Sequence, residues 1–455
     1  MTHRRRVADV LAYVGQAAVR RADRQPQTAL VAGPAWDAWS AGDFALARER
    51  AADLVATGQA VDEGRHVLVL IASVLGHFDE AIATHQLIDP RYRRIKELDE
   101  PVIWDHVHRG DVAGALEFAE RRGLARRGAI GKRLRLAWER PFGVEIEGVV
   151  DIPFTDDALT PFMPGFDVRL NGQPTVVRLD TGGAFVHLSP ELAAAHGIAT
   201  AASERGFAAL SWHTVRYGVA DLEIGPIRLH NAPVAVHEGA LPAGPIAAAF
   251  GVELGPIIGT NVLQRFLTTV DAPDRRLLLS RRGDAGARSE HLARLGDAQH
   301  EVPFALWSDH LMIARGRLGG VVNANLFVDS GLVAYTEDQG QAALLASGRA
   351  LESWGVDQPE DGRFASLPGG LAMGGASRDG VTAYVVTDAL WRDFGDWGGI
   401  RVDALVSWGF LRQFSWTIDF DRRRYLFGEV SGGRPENGRP RSPTCERFYH
   451  VASEM

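Results

Sequence analysis

Val176-Val177-Arg178-Leu179-Asp180-Thr181-Gly182 and Leu326-Phe327-Val328-Asp329-Ser330-Gly331 are the two stretches on which the reading of this chain turns. Each is a short apolar run that closes on an aspartate, a hydroxyl residue and a glycine. The run reads as a buried strand; the triplet, taken alone, is ordinary β-turn chemistry. An independent repeat changes its weight. Asn261-Val262-Leu263-Gln264-Arg265-Phe266, with Thr269-Val270-Asp271 and Arg275-Arg276-Leu277-Leu278 behind it, is echoed by Gly409-Phe410-Leu411-Arg412-Gln413-Phe414, Thr417-Ile418-Asp419 and Arg423-Arg424-Tyr425-Leu426. Leu263 matches Leu411, Phe266 matches Phe414 and Asp271 matches Asp419, all at an offset of 148, and the two acidic triplets stand 149 apart. Two signals in the same register mean that one β-rich unit occurs twice.

Around this repeat the texture of the chain divides. From Phe142 onward apolar and polar residues alternate in short runs, as in Val144-Glu145-Ile146-Glu147-Gly148-Val149-Val150, with Gly and Pro between them, the pattern of strands and hairpins. The first 138 residues have a helical period instead: Trp36, Trp39, Phe44, Ala47, Ala51 and Leu54 form one apolar stripe. Turns at Ala41-Gly42-Asp43, Leu75-Gly76-His77 and Arg109-Gly110-Asp111 divide this region into helical hairpins, either a small solenoid of the tetratricopeptide type or a plain bundle. The basic segment from Arg121 to Arg135 reads as a solvated helix or linker face. The expected organisation is therefore multidomain: all-α hairpins over 1–138, a first β lobe over 139–288, a second over 289–430, and a tail over 431–455.

At the level of the whole chain, 455 residues suit two to three domains. A net charge of −8 argues against nucleic acid as the main partner. The single cysteine, Cys445, excludes internal disulfides and thiolate zinc clusters. The stretch after His3, Arg4, Arg5 and Arg6 is too short and too interrupted by charge for a signal peptide. No apolar run reaches the ~18 residues of a membrane span. These features point to a soluble cytoplasmic protein.

The duplicated unit resembles the pepsin and retropepsin group of aspartic peptidases. In those enzymes each half consists of a strand, Asp-Thr/Ser-Gly, a flap hairpin, an apolar-apolar-Gly segment, a short helix and a closing strand. Ile257-Ile258-Gly259 fits the apolar-apolar-Gly segment of the first half, and the resemblance extends over about residues 142–430. It implies a two-lobed, all-β acid-protease fold and an endopeptidase in which Asp180 and Asp329 activate water as general acid and base. Thr181 and Ser330 would lock the loops together, and Gly182 and Gly331 would let backbone approach the carboxylates. It also implies a peptide or protein substrate, no metal or other cofactor, and no need of a homodimer to assemble the dyad. Two departures stand out: Gly183 follows the first triplet, where Ser or Ala is usual, and Leu405-Val406-Ser407 replaces apolar-apolar-Gly in the second half, so that the loop packing there is expected to be looser or shifted.

The chemistry suits such a pair, because two carboxyls held close cannot both ionise easily, so that one keeps a proton and the other acts as base. The segment from Gly206 to Ile224 is the flap expected to exclude water, with Trp212 and Tyr217 as aromatics that either cover substrate or pack within the hairpin. The helical region is a candidate docking place for a substrate or partner protein. The rival reading is a binding or scaffold protein that keeps the fold without cleaving. Other motifs fail: Gly128-Ala129-Ile130-Gly131-Lys132 lacks both the first glycine and the Ser or Thr of a phosphate loop, and His106 and His108, two apart on a helix, face different ways.

Overall fold

The computed structural model describes residues 33–125, 129–208, 211–238, 247, 250–297, 299–336, 340–356, 364–386, 391 and 396–429. The basic N-terminal stretch, the tail with Cys445, most of the phosphate-loop-like run's entry and the side chain of Trp212 lie outside the described residues.

Helices Pro34–Ser40, Phe44–Ala56, Val61–Leu75, Phe78–Gln86, Asp99–His108, Val112–Arg121 and Ala129–Glu139 succeed one another in the first region. The three expected turns fall between them, with Gly42, Gly76 and Gly110 at φ of 69°, 85° and 85°, where a side chain would strain the backbone. Asp43 and Asp111 cap the following helices by accepting from the N–H of Leu46 and Gly114. Trp36, Trp39, Ala47 and Ala51 are buried, and Phe44 and Leu54 pack against the same core. That core does not stop at the helices. It continues into Ala305, Ile313, Phe327, Leu345, Ile400 and Leu405, so the helical hairpins lie against one sheet of the β region. Polar contacts seal the seam: Trp39 Nε1 donates to the Gly398 carbonyl (2.7 Å), Arg315 to that of Ala41 (2.6 Å) and Arg423 to that of Val74 (2.8 Å). No helix among the described residues is long and apolar enough to cross a membrane.

The β region is two-lobed, and the lobes repeat one another. In the first, the hairpin Gly165–Leu170 and Gln173–Leu179 delivers the chain to Asp180. The second of these strands runs parallel to Ile257–Ile258, which lies antiparallel to Val186–Leu188, itself parallel to Ile227–His237. In the second lobe, Leu311–Leu318 and Val321–Val328 form the hairpin that delivers Asp329. Val321–Val328 runs parallel to Ala404–Val406, which lies antiparallel to Leu344–Ser347, itself parallel to Val381–Val386. Parallel pairing of the strand before each aspartate with a strand far along the chain is what fixes each loop from both sides.

The closing segments join the lobes. Phe266–Asp271 pairs antiparallel with Ser415–Asp419, and Arg276–Arg281 and Arg424–Gly428 flank them. Thr269 stands opposite Thr417, hydroxyl to hydroxyl at 2.6 Å, so the offset of 148 seen in the sequence is a local two-fold relation across this seam. Every residue of both central strands is buried, because the helix Ala285–Leu295 covers one face. Asp284 caps that helix, and Ala287, His291 and Leu295, four apart, are its buried stripe. The boundary expected at 288/289 falls inside this helix, which packs under the strands of both lobes.

Candidate active site

The two triplets meet at the centre of the β region. Thr181 N–H donates to Ser330 Oγ and Ser330 N–H to Thr181 Oγ1, both at 3.0 Å. Each hydroxyl then donates across to the opposite lobe, Thr181 to the Val328 carbonyl (2.8 Å) and Ser330 to that of Leu179 (3.3 Å). Thr181 and Ser330 are fully buried, so all four bonds act without competition from water. Gly182 and Gly331 are the points of closest approach: a Cβ on Gly182 would overlap the carboxyl of Asp329, and one on Gly331 would overlap that of Asp180.

This grip presses Asp180 and Asp329 together, and their side chains hydrogen-bond one another. Burial raises Asp180 above the usual carboxylate range, opposed by the bond from Asp329, by the N–H groups of Gly182 and Gly183 and by the field of His310. Burial also raises Asp329, and here the neighbouring charge of Asp180 pushes in the same direction, so it rises well above its ordinary value. Both carboxyls are thus pushed toward the protonated form, because two like charges this close and this buried cannot both ionise easily. Among the described residues no group of three His, Cys, Asp or Glu side chains is placed to hold a metal ion.

Both sequence departures have local causes. A Cβ on Gly183 would lie 2.8 Å from His187 Nε2 and 3.3 Å from Asp180 Oδ2. His187 fills the place where a side chain on residue 183 would stand, and it is fixed there: Nε2 accepts from Phe185 N–H (3.2 Å), while Nδ1 meets His237 Nε2 at 2.6 Å. In the second lobe the chain takes fifteen residues from Asp329 to Leu344, against six from Asp180 to Val186. The longer loop brings Ala342 to the crossing point. Ser407 donates its hydroxyl to the Ala342 carbonyl, accepts from Gly409 N–H at 3.0 Å and caps the helix Trp408–Leu411. In the first lobe a Cβ at Gly259 would be 2.6 Å from the Gly183 carbonyl. The second loop is thus shifted and capped, not loose.

Of the flap residues, the hairpin Thr200–Ala208 and Ser211–Ile224 is present. Tyr217 packs inward in this hairpin. Its ring is buried, packs edge-on against Phe185 at 5.6 Å and lies under the Arg133 guanidinium.

Residues 166–261 match the family described as aspartyl protease. No curated protein matches the chain. Among solved structures it is similar to an aspartic proteinase from Irpex lacteus, at 12% identity and a TM-score of 0.36, over 62% of this chain and 98% of that one. It is also similar to a retropepsin-like aspartic protease from Rickettsia conorii, at 18% identity and a TM-score of 0.21, over 31% of this chain and 92% of that one. The matched residues span the first aspartate loop, its flap and Gly259, and the second lobe repeats that topology. The likeness to aspartyl proteases therefore rests on residues 166–261, and the second lobe shares the topology of that stretch.

Three residues around this site were not placed by the sequence reading. His310 bears electrostatically on Asp180, and its Nδ1 meets Asp309 Oδ1 at 2.6 Å. Burial raises Asp309, but His310 and Arg133 override it and hold that carboxylate below its normal range. Arg133 corrects the reading of residues 121–135 as a solvated face: Arg121 and Arg135 are exposed, but Arg133 is only 18% exposed and donates to Asp309 at 3.1 Å. Ser308-Asp309-His310 is the turn between the strands Gln299–Trp307 and Leu311–Leu318, and its bearing on Asp180 follows only from the topology. His106 and His108 do face apart, toward Asp111 and the Ser308 carbonyl.

Proposed function

We propose that the β region is an aspartic-type endopeptidase in which Asp180 and Asp329 share one proton and activate a water for attack on a peptide bond. The observation that carries this reading is the facing pair of buried, hydrogen-bonded carboxyls, each backed by a glycine that admits the other. The shared proton makes one group a base and the other an acid at the same pH. His310, when protonated, favours ionised Asp180, so Asp180 takes the proton of the attacking water while Asp329 donates to the substrate carbonyl. The leaving amine then takes its proton from Asp180 as the carbon–nitrogen bond breaks, and Asp329 takes one hydroxyl proton of the gem-diol, which becomes the new carboxyl, so the pair again shares one proton. The grip between Thr181 and Ser330 keeps the carboxyls in register through both steps, which is where small misplacements are expensive in rate. The flap hairpin supplies the wall under which an extended peptide lies.

The test is cleavage of a peptide library across pH by the wild-type chain and by Asp180→Asn and Asp329→Asn. Loss of cleavage by a factor on the order of 10³ or more in both variants supports the dyad, since each substitution removes acid–base chemistry. Wild type and variants that behave alike would sink it. Peptide binding without cleavage by wild type would instead favour a binding protein that keeps the fold.

A further inference from the structure

We propose that Arg133, which comes from the helical region and not from either lobe, is a positioning residue of the cleft, holding the flap strand, the first aspartate loop and the second lobe in one arrangement. The inference rests on the endopeptidase reading for its kinetic consequence, though not for its structural one.

The argument starts from what surrounds one guanidinium. Its centre lies 4.6 Å from the ring of Phe185, 4.9 Å from that of Tyr217 and 5.1 Å from that of Trp104, and its Nη2 donates to Asp309 Oδ2 at 3.1 Å. These partners come from four different places. Trp104 belongs to the helix Asp99–His108, Tyr217 to the long flap strand Ser211–Ile224, and Asp309 to the first turn of the second lobe. Phe185 follows the Asp180 loop, and its carbonyl receives the N–H of Gly259 at 2.7 Å, so it is part of what holds that loop. Asp309 is equally committed. Its carboxylate meets His310, the residue whose field reaches Asp180, and its carbonyl accepts from Gln264 Nε2 at 2.7 Å, just after the helix that begins at Thr260.

A planar cation in this setting is a connector by its chemistry. Aromatic faces attract it more strongly once water is removed, and Asp309, only 6% exposed, is a carboxylate that needs a partner where it stands. Withdrawing Arg133 leaves Asp309 with one cationic partner fewer and uncovers the packed rings of Phe185 and Tyr217 on the side the guanidinium occupied. The flap strand would then keep its hairpin partners but lose its tie to the second lobe. Lysine would restore a charge for Asp309 without the flat stack on three rings.

The experiment uses the full chain as wild type, Arg133→Ala and Arg133→Lys, with two readouts. In native-state hydrogen exchange, Arg133→Ala is expected to speed exchange over residues 214–224 by about tenfold or more while 266–271 and 415–419 stay as slow as in wild type, a local opening rather than a global one. In peptide cleavage, kcat/KM is expected to fall about tenfold, with most of the loss in KM because the flap closes on bound substrate, and Arg133→Lys is expected to fall between the two. Exchange that is unchanged over 214–224, or equally faster in the central strands, overturns the proposal; so does an unchanged kcat/KM in an Arg133→Ala chain alongside an active wild type. If wild type cleaves no peptide, the endopeptidase reading fails, and the exchange pattern still decides the role of Arg133.

Discussion

Thr181→Val tests the grip directly. Valine fills the same volume, so no cavity opens, but two buried bonds vanish: the one from Thr181 Oγ1 to the Val328 carbonyl at 2.8 Å and the one from Ser330 N–H to Thr181 Oγ1 at 3.0 Å. The Ser330 N–H is then a buried donor without its acceptor. A lost neutral bond costs about 1 kcal/mol net and a stranded buried group about 1–3 kcal/mol, so unfolding should become easier by about 2–4 kcal/mol. Ser330→Ala removes the other two bonds, to Thr181 N–H and to the Leu179 carbonyl, for a similar loss. The two sets share no bond, yet both hold the same pair of loops together. Once either is gone the loops are already free to part, so the double variant should fall short of the sum by about 1 kcal/mol. Urea unfolding of the four proteins measures this, and peptide cleavage should drop roughly a hundredfold in Thr181→Val as the carboxyls lose register. A Thr181→Val protein within about 0.5 kcal/mol of wild type, the range of an inconsequential surface change, would refute the reasoning. Strict additivity would show that the hydroxyls serve each loop separately and do not lock the lobes.

Gly183→Ser should destabilise by about 1–3 kcal/mol through overpacking against His187, and adding His187→Ala should recover part of that loss in a thermal melt. Asp105 is buried, hydrogen-bonded by Ser73 Oγ at 2.7 Å, and raised to about 7 by burial. Its folded value lies above its unfolded one, so its contribution is complete below the unfolded value near 3.8 and is lost as pH rises through 7. Unfolding free energy of wild type relative to Asp105→Asn should therefore fall by roughly 4 kcal/mol between pH 4 and pH 8. His291 behaves in the opposite sense. Burial lowers it from 6.5 to about 4, so its contribution is present above pH 6.5 and is lost as pH falls toward 4. His291→Asn should move the acid-unfolding midpoint downward, provided that the amide keeps the contacts His291 makes with Thr269 Oγ1 and Ser280 Oγ at 2.7 and 3.0 Å; an unchanged midpoint would count against that assignment.

Much of the β architecture was legible because a duplicated fold writes itself twice. Val328 and Leu179 end apolar runs that can only be buried strands, and the triplets that follow sit in step with Thr269 and Thr417, which meet on the two-fold seam. The helical stripe was equally plain, since Trp36, Trp39, Ala47 and Ala51 follow the period of a helix whatever they pack against. What sequence could not show was assembly across distance. Arg133 and Asp309 lie 176 residues apart, and no local pattern distinguishes an arginine bound to a second-lobe carboxylate from one in water. Gly183 looked like a defect because its cause, His187, is a strand residue whose ring turns back toward the loop. Ser407 looked like one because a loop longer by nine residues had moved the crossing point to Ala342. Tyr217 alternates with flap residues as a cover would, and only packing shows that it points inward.

The shared core between the helices and the second lobe has a consequence for how this chain can be divided. Phe327, immediately before Val328 and Asp329, points away from its own lobe and is buried against the helices, as are Ile313, Leu345 and Leu405. A chain cut at residue 138 would leave these side chains facing solvent as one contiguous apolar patch, the kind of surface that drives association. The protease-like module is therefore not a detachable cassette: shortened to the residues that resemble known peptidases, it should be recovered as aggregate, and co-expression with the missing helical segment should restore solubility.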